Sequence, residues 1–228
     1  MTEPLEMTLA CVGCAAASYL IGSIPFGYLI GKMKGVDIRK SGSGNIGATN
    51  VTRVVGKWWG KLCFLCDFLK GFLPVFAVMQ LCLDQGSGSG PGDWLAALTA
   101  FAAVLGHVFP VYLGFKGGKG VSTAAGAALA LCPLAVVIAG AVWVIVFFLS
   151  RYVSLASLAA ALALPLSAWL LGYFGVVKNF RPAFGTVLIV FGGLAFWRHR
   201  SNIVRLLNGT ESRFDKKQKQ DTGSESKS

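Results

Sequence analysis

Ser43, Asn45, Thr49, Asn50 and Arg53 all fall in one short segment, SGSGNIGATNVTR at 41–53, with glycines at 42, 44 and 47. Little in it can pack a core. Glycine lets backbone N–H groups approach a ligand closely, and the hydroxyls, amides and arginine add further donors. Such a set suits an anion, phosphate above all. Two later segments share the character. GHVFPVYLGFKGGKGVST at 106–123 sets Lys116 and Lys119 among Gly117, Gly118 and Gly120. HRSNIVRLLNGTESR at 199–213 carries His199, Asn202 and Glu211 among basic residues. Each segment abuts an apolar run.

The FKGGKG stretch resembles a phosphate loop but does not follow the Walker A spacing, which needs glycine five residues before its Gly-Lys pair and Ser or Thr after the lysine. Leu113 and Gly120 stand there instead. That disfavours an ATPase or P-loop kinase and leaves two readings, an anion site or a flexible basic loop. His107 and His199 are the only histidines. His107 precedes Phe109-Pro110 and reads as a brace for its loop. His199 has Asn202 at i+3 on the same helical face and arginines on both sides. Neither begins an H-x4-D acyltransferase motif, since Tyr112 and Val204 occupy the aspartate positions. Acidic residues and histidines are too sparse to suggest a metal, and no cofactor is expected. Asp67 and Lys70, at i and i+3 inside an apolar run, read as a structural ion pair, with a proton pathway as the sharper alternative.

Apolar elements must position these groups. Hydrophobic residues make up 54% of the 228, charged residues only 14%, and mean hydropathy is +0.63. A soluble domain carries about 25% charged residues, so the composition describes a polytopic all-α membrane bundle. The net charge of +11 comes from Lys and Arg in short loops, as cytoplasmic loops require. No nucleic-acid recognition module accompanies it, so no nucleic-acid partner is expected. The start, with Glu3 and Glu6 and no basic n-region, does not read as a cleaved signal. Cys11/Cys14 and Cys63/Cys66 form C-x-x-C pairs within apolar runs, where cysteine acts as a small hydrophobe.

The apolar runs span about 7–31, 58–82, 94–113, 121–173 and 183–197. Pro25 predicts a kink in the first. Basic loops at 32–53, at Lys116/Lys119 and at 198–213 belong on the cytoplasmic side, and the lysine-free loop 84–93 belongs outside. An even number of crossings must then separate Lys119 from Arg198. Splitting 121–149 near Cys132–Pro133 achieves this with seven helices, Arg151 inside and Lys178/Arg181 outside. A re-entrant segment, giving five spans, is the alternative. The bundle is expected to form one domain over 1–213, with 214–228 a disordered cytoplasmic tail.

Taken together, GSIPFGYLIGK with DIRKSGSGNIGATNVTR, GHVFPVYLGFKGGKGVST and HRSNIVRLLNGTE resemble the bacterial membrane acyltransferases that acylate glycerol 3-phosphate from acyl phosphate, the PlsY family. The resemblance covers nearly the whole chain. It implies transfer of a fatty acyl group from acyl phosphate to the 1-hydroxyl of glycerol 3-phosphate in the bacterial cytoplasmic membrane, releasing lysophosphatidate and phosphate. It also implies catalytic roles for Ser43, Arg53, Lys119, His199 and Asn202, with Glu211 structural. Both substrates carry phosphate, so two anion sites must adjoin. Arg53 with Ser43, Asn45, Thr49 and Asn50 suits one, and Lys116 and Lys119 with Gly117, Gly118 and Gly120 suit the other. Acyl phosphate is already activated, so direct attack needs no acyl-enzyme, and positioning and electrostatics supply the rate. His199 or a substrate phosphate oxygen takes the hydroxyl proton. The competing class is an anion transporter or channel, against which stand the absence of internal repeats and the gathering of polar residues on one face.

Overall fold

Pro25 lacks an N–H, and the first apolar run breaks there into α1 (Glu3–Gly22) and α2 (Phe26–Met33). This computed structural model describes residues 3–82, 90–178 and 180–214. A loop and the short α3 (Ala48–Val54) lead to α4 (Lys57–Cys82), which runs unbroken through Pro74. The chain continues through α5 (Pro91–Val108), α6 (Val121–Leu131), α7 (Pro133–Ser150), α8 (Val153–Tyr173), α9 (Pro182–Arg198) and α10 (Arg200–Leu207). The described residues are all-helical apart from their loops.

The long run 121–173 divides where proline and a left-handed residue allow it. Pro133 takes the first position of α7, where a missing N–H costs nothing, and Arg151 ends α7 at φ 62°. Five segments are long and apolar enough to span a membrane: Cys11–Met33, Lys57–Leu81, Pro91–Leu113, Pro133–Ser150 and Val153–Tyr173. α6 and α9 are shorter apolar helices. At about 1.5 Å per residue, α6 alone cannot cross a hydrocarbon core of about 30 Å. It is tolerated because it packs on protein: a Cβ on Gly126 would overlap the Phe68 carbonyl of α4, so only glycine permits this approach.

Two sets of contacts fix which end each turn occupies. The Arg151 carbonyl accepts from the N–H of Phe214 at 2.9 Å, and Ser154 Oγ donates to Glu211 Oε1 at 2.7 Å. The α7–α8 turn therefore lies at the same end as the segment after α10. At the opposite end Arg181, before α9, pairs with Asp93 in the first turn of α5. Arg151 and Arg181 thus fall at opposite ends, as the seven-helix arrangement requires, with α6 and α9 as its short members. The main core joins α4 to α9 through Val75, Ala100, Val104, Ala128, Leu188 and Phe191. A smaller cluster of Ile30, Ile38, Ile46, Val51 and Cys63 seats the loop between α2 and α3.

One boundary moves. Phe214, expected to open the disordered tail, is docked by its N–H bond and by its ring, 6.0 Å from that of Phe147. An aromatic beside an apolar helix end buries area that a polar tail residue lacks. The rest of the expected tail, and residues 84–89 of the expected outer loop, lie outside the described residues.

Candidate active site

The three polar segments meet at one end of the bundle. The third is the hub. Lys119 Nζ donates to Asn202 Oδ1 at 2.6 Å, Asn202 Nδ2 donates to Glu211 Oε1 at 2.7 Å, and Arg205 Nε donates to Glu211 Oε2 at 2.7 Å. With Ser154 on the same carboxylate, Glu211 joins α8, α10 and, through Asn202, the glycine–lysine loop. Burial alone would push the Glu211 carboxyl up, but the bonds from Ser154, Asn202 and Arg205 hold it below its ordinary range. It is a fixed anion spent on architecture. The first segment joins the same loop, since Arg53 Nη2 donates to the carbonyl of Ser212 at 3.4 Å.

Lys119 is a strongly perturbed cation. Burial brings it down to about 8; Glu211 opposes that, and Arg205, Arg53 and Arg198 push it further down. One lysine therefore feels three guanidiniums and one carboxylate that is already paired. The surplus is positive, and a phosphate dianion would relieve it.

His199 sits at the corner between α9 and α10, only 2% exposed. Its Nδ1 is 2.8 Å from the Ala195 carbonyl, which can only accept, so Nδ1 carries the proton and Nε2 keeps its lone pair. Burial first, and the Lys119 charge second, press its pKa down to about 4. The ring is neutral at pH 7 and a weak acceptor until negative charge arrives beside it.

The two glycine-rich loops are built differently from expectation. Asn50, expected to donate to a phosphate, is buried and donates from Nδ2 to the carbonyls of Ile38, Ser41 and Asn45 at 3.0, 3.1 and 2.8 Å. Its Oδ1 accepts from Ser43 N–H at 2.9 Å. An amide has two hydrogens, so Asn50 has no donor left for a ligand. Asn45 Oδ1 accepts from Gly47 N–H. Ser43 and Arg53 remain exposed, and Thr49 is half-buried. In the second loop Gly118 N–H, expected to face an anion, donates to the His107 carbonyl at 3.1 Å. Arg198 holds the carbonyls of Gly118 and Gly117 at 3.1 and 3.0 Å. Gly118 and Gly120 are buried, Gly117 is half-buried and Lys116 is exposed. The loop therefore acts through its lysines more than through its amides.

His107 braces this loop from below, buried beside Asp67. Sequence reasoning missed Arg198, Ser154 and Arg205 as supports. Arg205 lies six residues from Glu211 within the third segment, a local spacing that signals the pair, whereas the partners of Arg198 are 80 and 81 residues away. Ser154 carries no signal, because its partner is 57 residues away.

A buried anchor, a part-buried lysine and neighbouring guanidiniums could serve any phosphate ligand. The glycerol-3-phosphate acyltransferase family profile, however, matches residues 12–209. The chain belongs to that family. It is 46% identical over 197 residues to the glycerol-3-phosphate acyltransferase of Aquifex aeolicus, covering 86% of this chain and 95% of that one. With the enzyme of the same name from Desulfotalea psychrophila the identity is 47% over 201 residues, covering 88% and 96%. Among solved structures it is similar to crystal structures of PlsY (YgiH), an integral membrane glycerol 3-phosphate acyltransferase, at 43% identity. That likeness covers 90% of this chain and 96% of the other, with TM-scores of 0.80 for the glycerol 3-phosphate form and 0.78 for the lysophosphatidic acid form. The candidate site lies at one end of a helical bundle that resembles an integral membrane enzyme over 90% of its length.

Proposed function

We infer that the protein transfers a fatty acyl group from acyl phosphate to the 1-hydroxyl of glycerol 3-phosphate. The observation that supports this reading is the gathering of Arg53, Arg198 and Arg205 about Lys119, where the one nearby carboxylate, Glu211, is already satisfied by protein donors. Such surplus positive charge is suited to two phosphates at once. In the reaction the hydroxyl oxygen attacks the acyl carbonyl carbon, the bond from that carbon to the phosphate oxygen breaks, and inorganic phosphate leaves. The products are lysophosphatidate and phosphate. The surplus charge neutralises the leaving phosphate, and holding both substrates side by side supplies the remaining rate.

Ser43 and Arg53 on one side, and Lys119 and Lys116 on the other, are the groups we assign to the phosphates, with Asn45 and Thr49 near the first. Asn202 aims Lys119. His199 Nε2 takes the hydroxyl proton, or a substrate phosphate oxygen does. Bound phosphates raise the His199 pKa from about 4, which strengthens the base when it is needed. The acyl chain lies among the apolar helices, open to the bilayer. Basic residues crowd this end of the bundle, among them Lys32, Lys34, Arg39, Lys40, Arg151 and Arg200. By the positive-inside rule the site faces the cytoplasm of a bacterial inner membrane.

Direct attack is tested by giving the purified protein acyl phosphate without glycerol 3-phosphate. The expected intact mass is that of the unmodified chain, with no burst of phosphate. A mass increase of one acyl group, lost on substituting Ser43, would replace direct attack with a covalent intermediate.

A further inference from the structure

The acyl-transfer reading leaves one group of charged side chains without a task. Asp67 and Lys70 lie one turn apart on α4, inside an apolar span, both side chains 2% exposed. Lys70 Nζ is 2.7 Å from Asp67 Oδ1 and donates to the Ile24 carbonyl at 2.7 Å, in the break between α1 and α2. His107, in the last turn of α5, brings Nδ1 to 3.5 Å from the same Asp67 oxygen. Cys63 Sγ–H points to the other carboxylate oxygen at 3.6 Å. Burying two ions costs several kcal/mol each, and apolar side chains of similar volume often hold helices together as well or better. Stability alone therefore explains this cluster poorly.

Its outlet toward the site is His107. A Cβ at position 118 would overlap His107 Nε2, with the ring carbons Cε1 and Cδ2 only 2.9 and 3.0 Å away. Gly118 rests directly on the imidazole, held there by its N–H bond to the His107 carbonyl and by Arg198 on its own carbonyl. The next residue is Lys119, on Asn202. We propose that Asp67, Lys70 and His107 are positioning residues for the glycine–lysine loop. Lys70 ties Asp67 to the α1–α2 break, the Asp67 carboxylate backs the His107 ring at 3.5 Å, and the ring is the floor that sets Gly118 and the reach of Lys119 toward a substrate phosphate. None of the three touches substrate. The inference rests on the acyl-transfer reading and adds α1 and α4 to the parts that aim the lysine.

The test compares the wild type with His107→Ala, Gly118→Ala, the pair combined, and the double variant Asp67→Asn/Lys70→Met. The last removes both charges together and strands no ion. Two quantities are read on folded protein. One is kcat and KM for glycerol 3-phosphate. The other is acetylation of Lys119 by a small anhydride without substrates, measured by mass spectrometry against the exposed Lys116. Misplacing a phosphate-binding lysine should lower kcat/KM about tenfold or more, mostly through KM, in His107→Ala and in the double variant. The Lys119-to-Lys116 labelling ratio should change roughly threefold or more, as the surroundings of the lysine change. Gly118→Ala should do the same, and adding His107→Ala to it should recover part of the loss by making room for the methyl group. Variants that melt earlier yet keep the wild-type KM and labelling ratio would overturn the proposal and leave a structural ion cluster. A wild type that forms no lysophosphatidate would instead sink the acyl-transfer reading, and the labelling ratio would still decide the positioning role.

Discussion

The two glycine-rich loops look alike as strings of residues, but they are held by opposite means. The loop before α3 is organised from within: Asn50, in the helix that follows, gathers three of its carbonyls and one N–H. The loop before α6 is organised from outside, gripped by Arg198 of α9 and seated on His107 of α5. The first can keep its shape if its neighbours move. The second takes its shape from helices far away in the chain, so damage to those helices reaches Lys119. A glycine-rich segment therefore indicates where backbone can approach a ligand, and its supports decide whether its amides or its side chains do the work.

The two kinds of support respond differently to substitution. The largest effect is expected from Asn50→Ala. Three carbonyls lose their donor, and each buried unpaired group costs about 1–3 kcal/mol. Activity should fall by about 10²-fold or more, and trypsin should cut faster at Arg39 and Lys40 while the helices stay protected. Unchanged cleavage there would mean that the loop does not depend on Asn50. Arg198→Ala should cost less, about tenfold in kcat/KM, because His107 still seats the loop; cleavage at Arg39 and Lys40 should not change. Equal effects on both loops would erase the distinction.

The pH profile gives a smaller, more specific signal. The phosphate role proposed for Lys119 requires its charged form, which is lost as pH rises through about 8. Since kcat/KM reports the free enzyme, it should fall above that pH, by at most about tenfold per unit. Lys119→Arg keeps its charge and should carry the plateau to higher pH; a variant with the wild-type profile would remove Lys119 as the titrating group. The smallest effect on catalysis is expected at the far end. Asp93→Asn weakens the pair with Arg181 and should lower the melting temperature while kcat and KM of the folded protein stay as they were.

Much of this was legible in the sequence because it is local. Pro25 and Pro133 mark the breaks that the helices show, and loop charge combined with parity puts Arg151 and Arg181 at opposite ends. The three polar segments were likewise visible as strings of donors. What could not be read was which donor serves which acceptor. Lys119 meets Asn202 across 83 residues and Arg198 meets Gly118 across 80, and no spacing rule links positions so far apart. Asn50 misled because an amide near a phosphate site and an amide that ties a loop are the same residue type. Asp67 and Lys70 were visible as a pair, but His107 as the third member depends on how α5 lies against α4.

Acyl transfer from acyl phosphate is tested by the choice of donor. Purified protein in bilayer or detergent is given glycerol 3-phosphate with either acyl phosphate or acyl-CoA, and lysophosphatidate is measured. Product, with an equal amount of inorganic phosphate, is expected from acyl phosphate only. Product from acyl-CoA, or none from acyl phosphate, would contradict it.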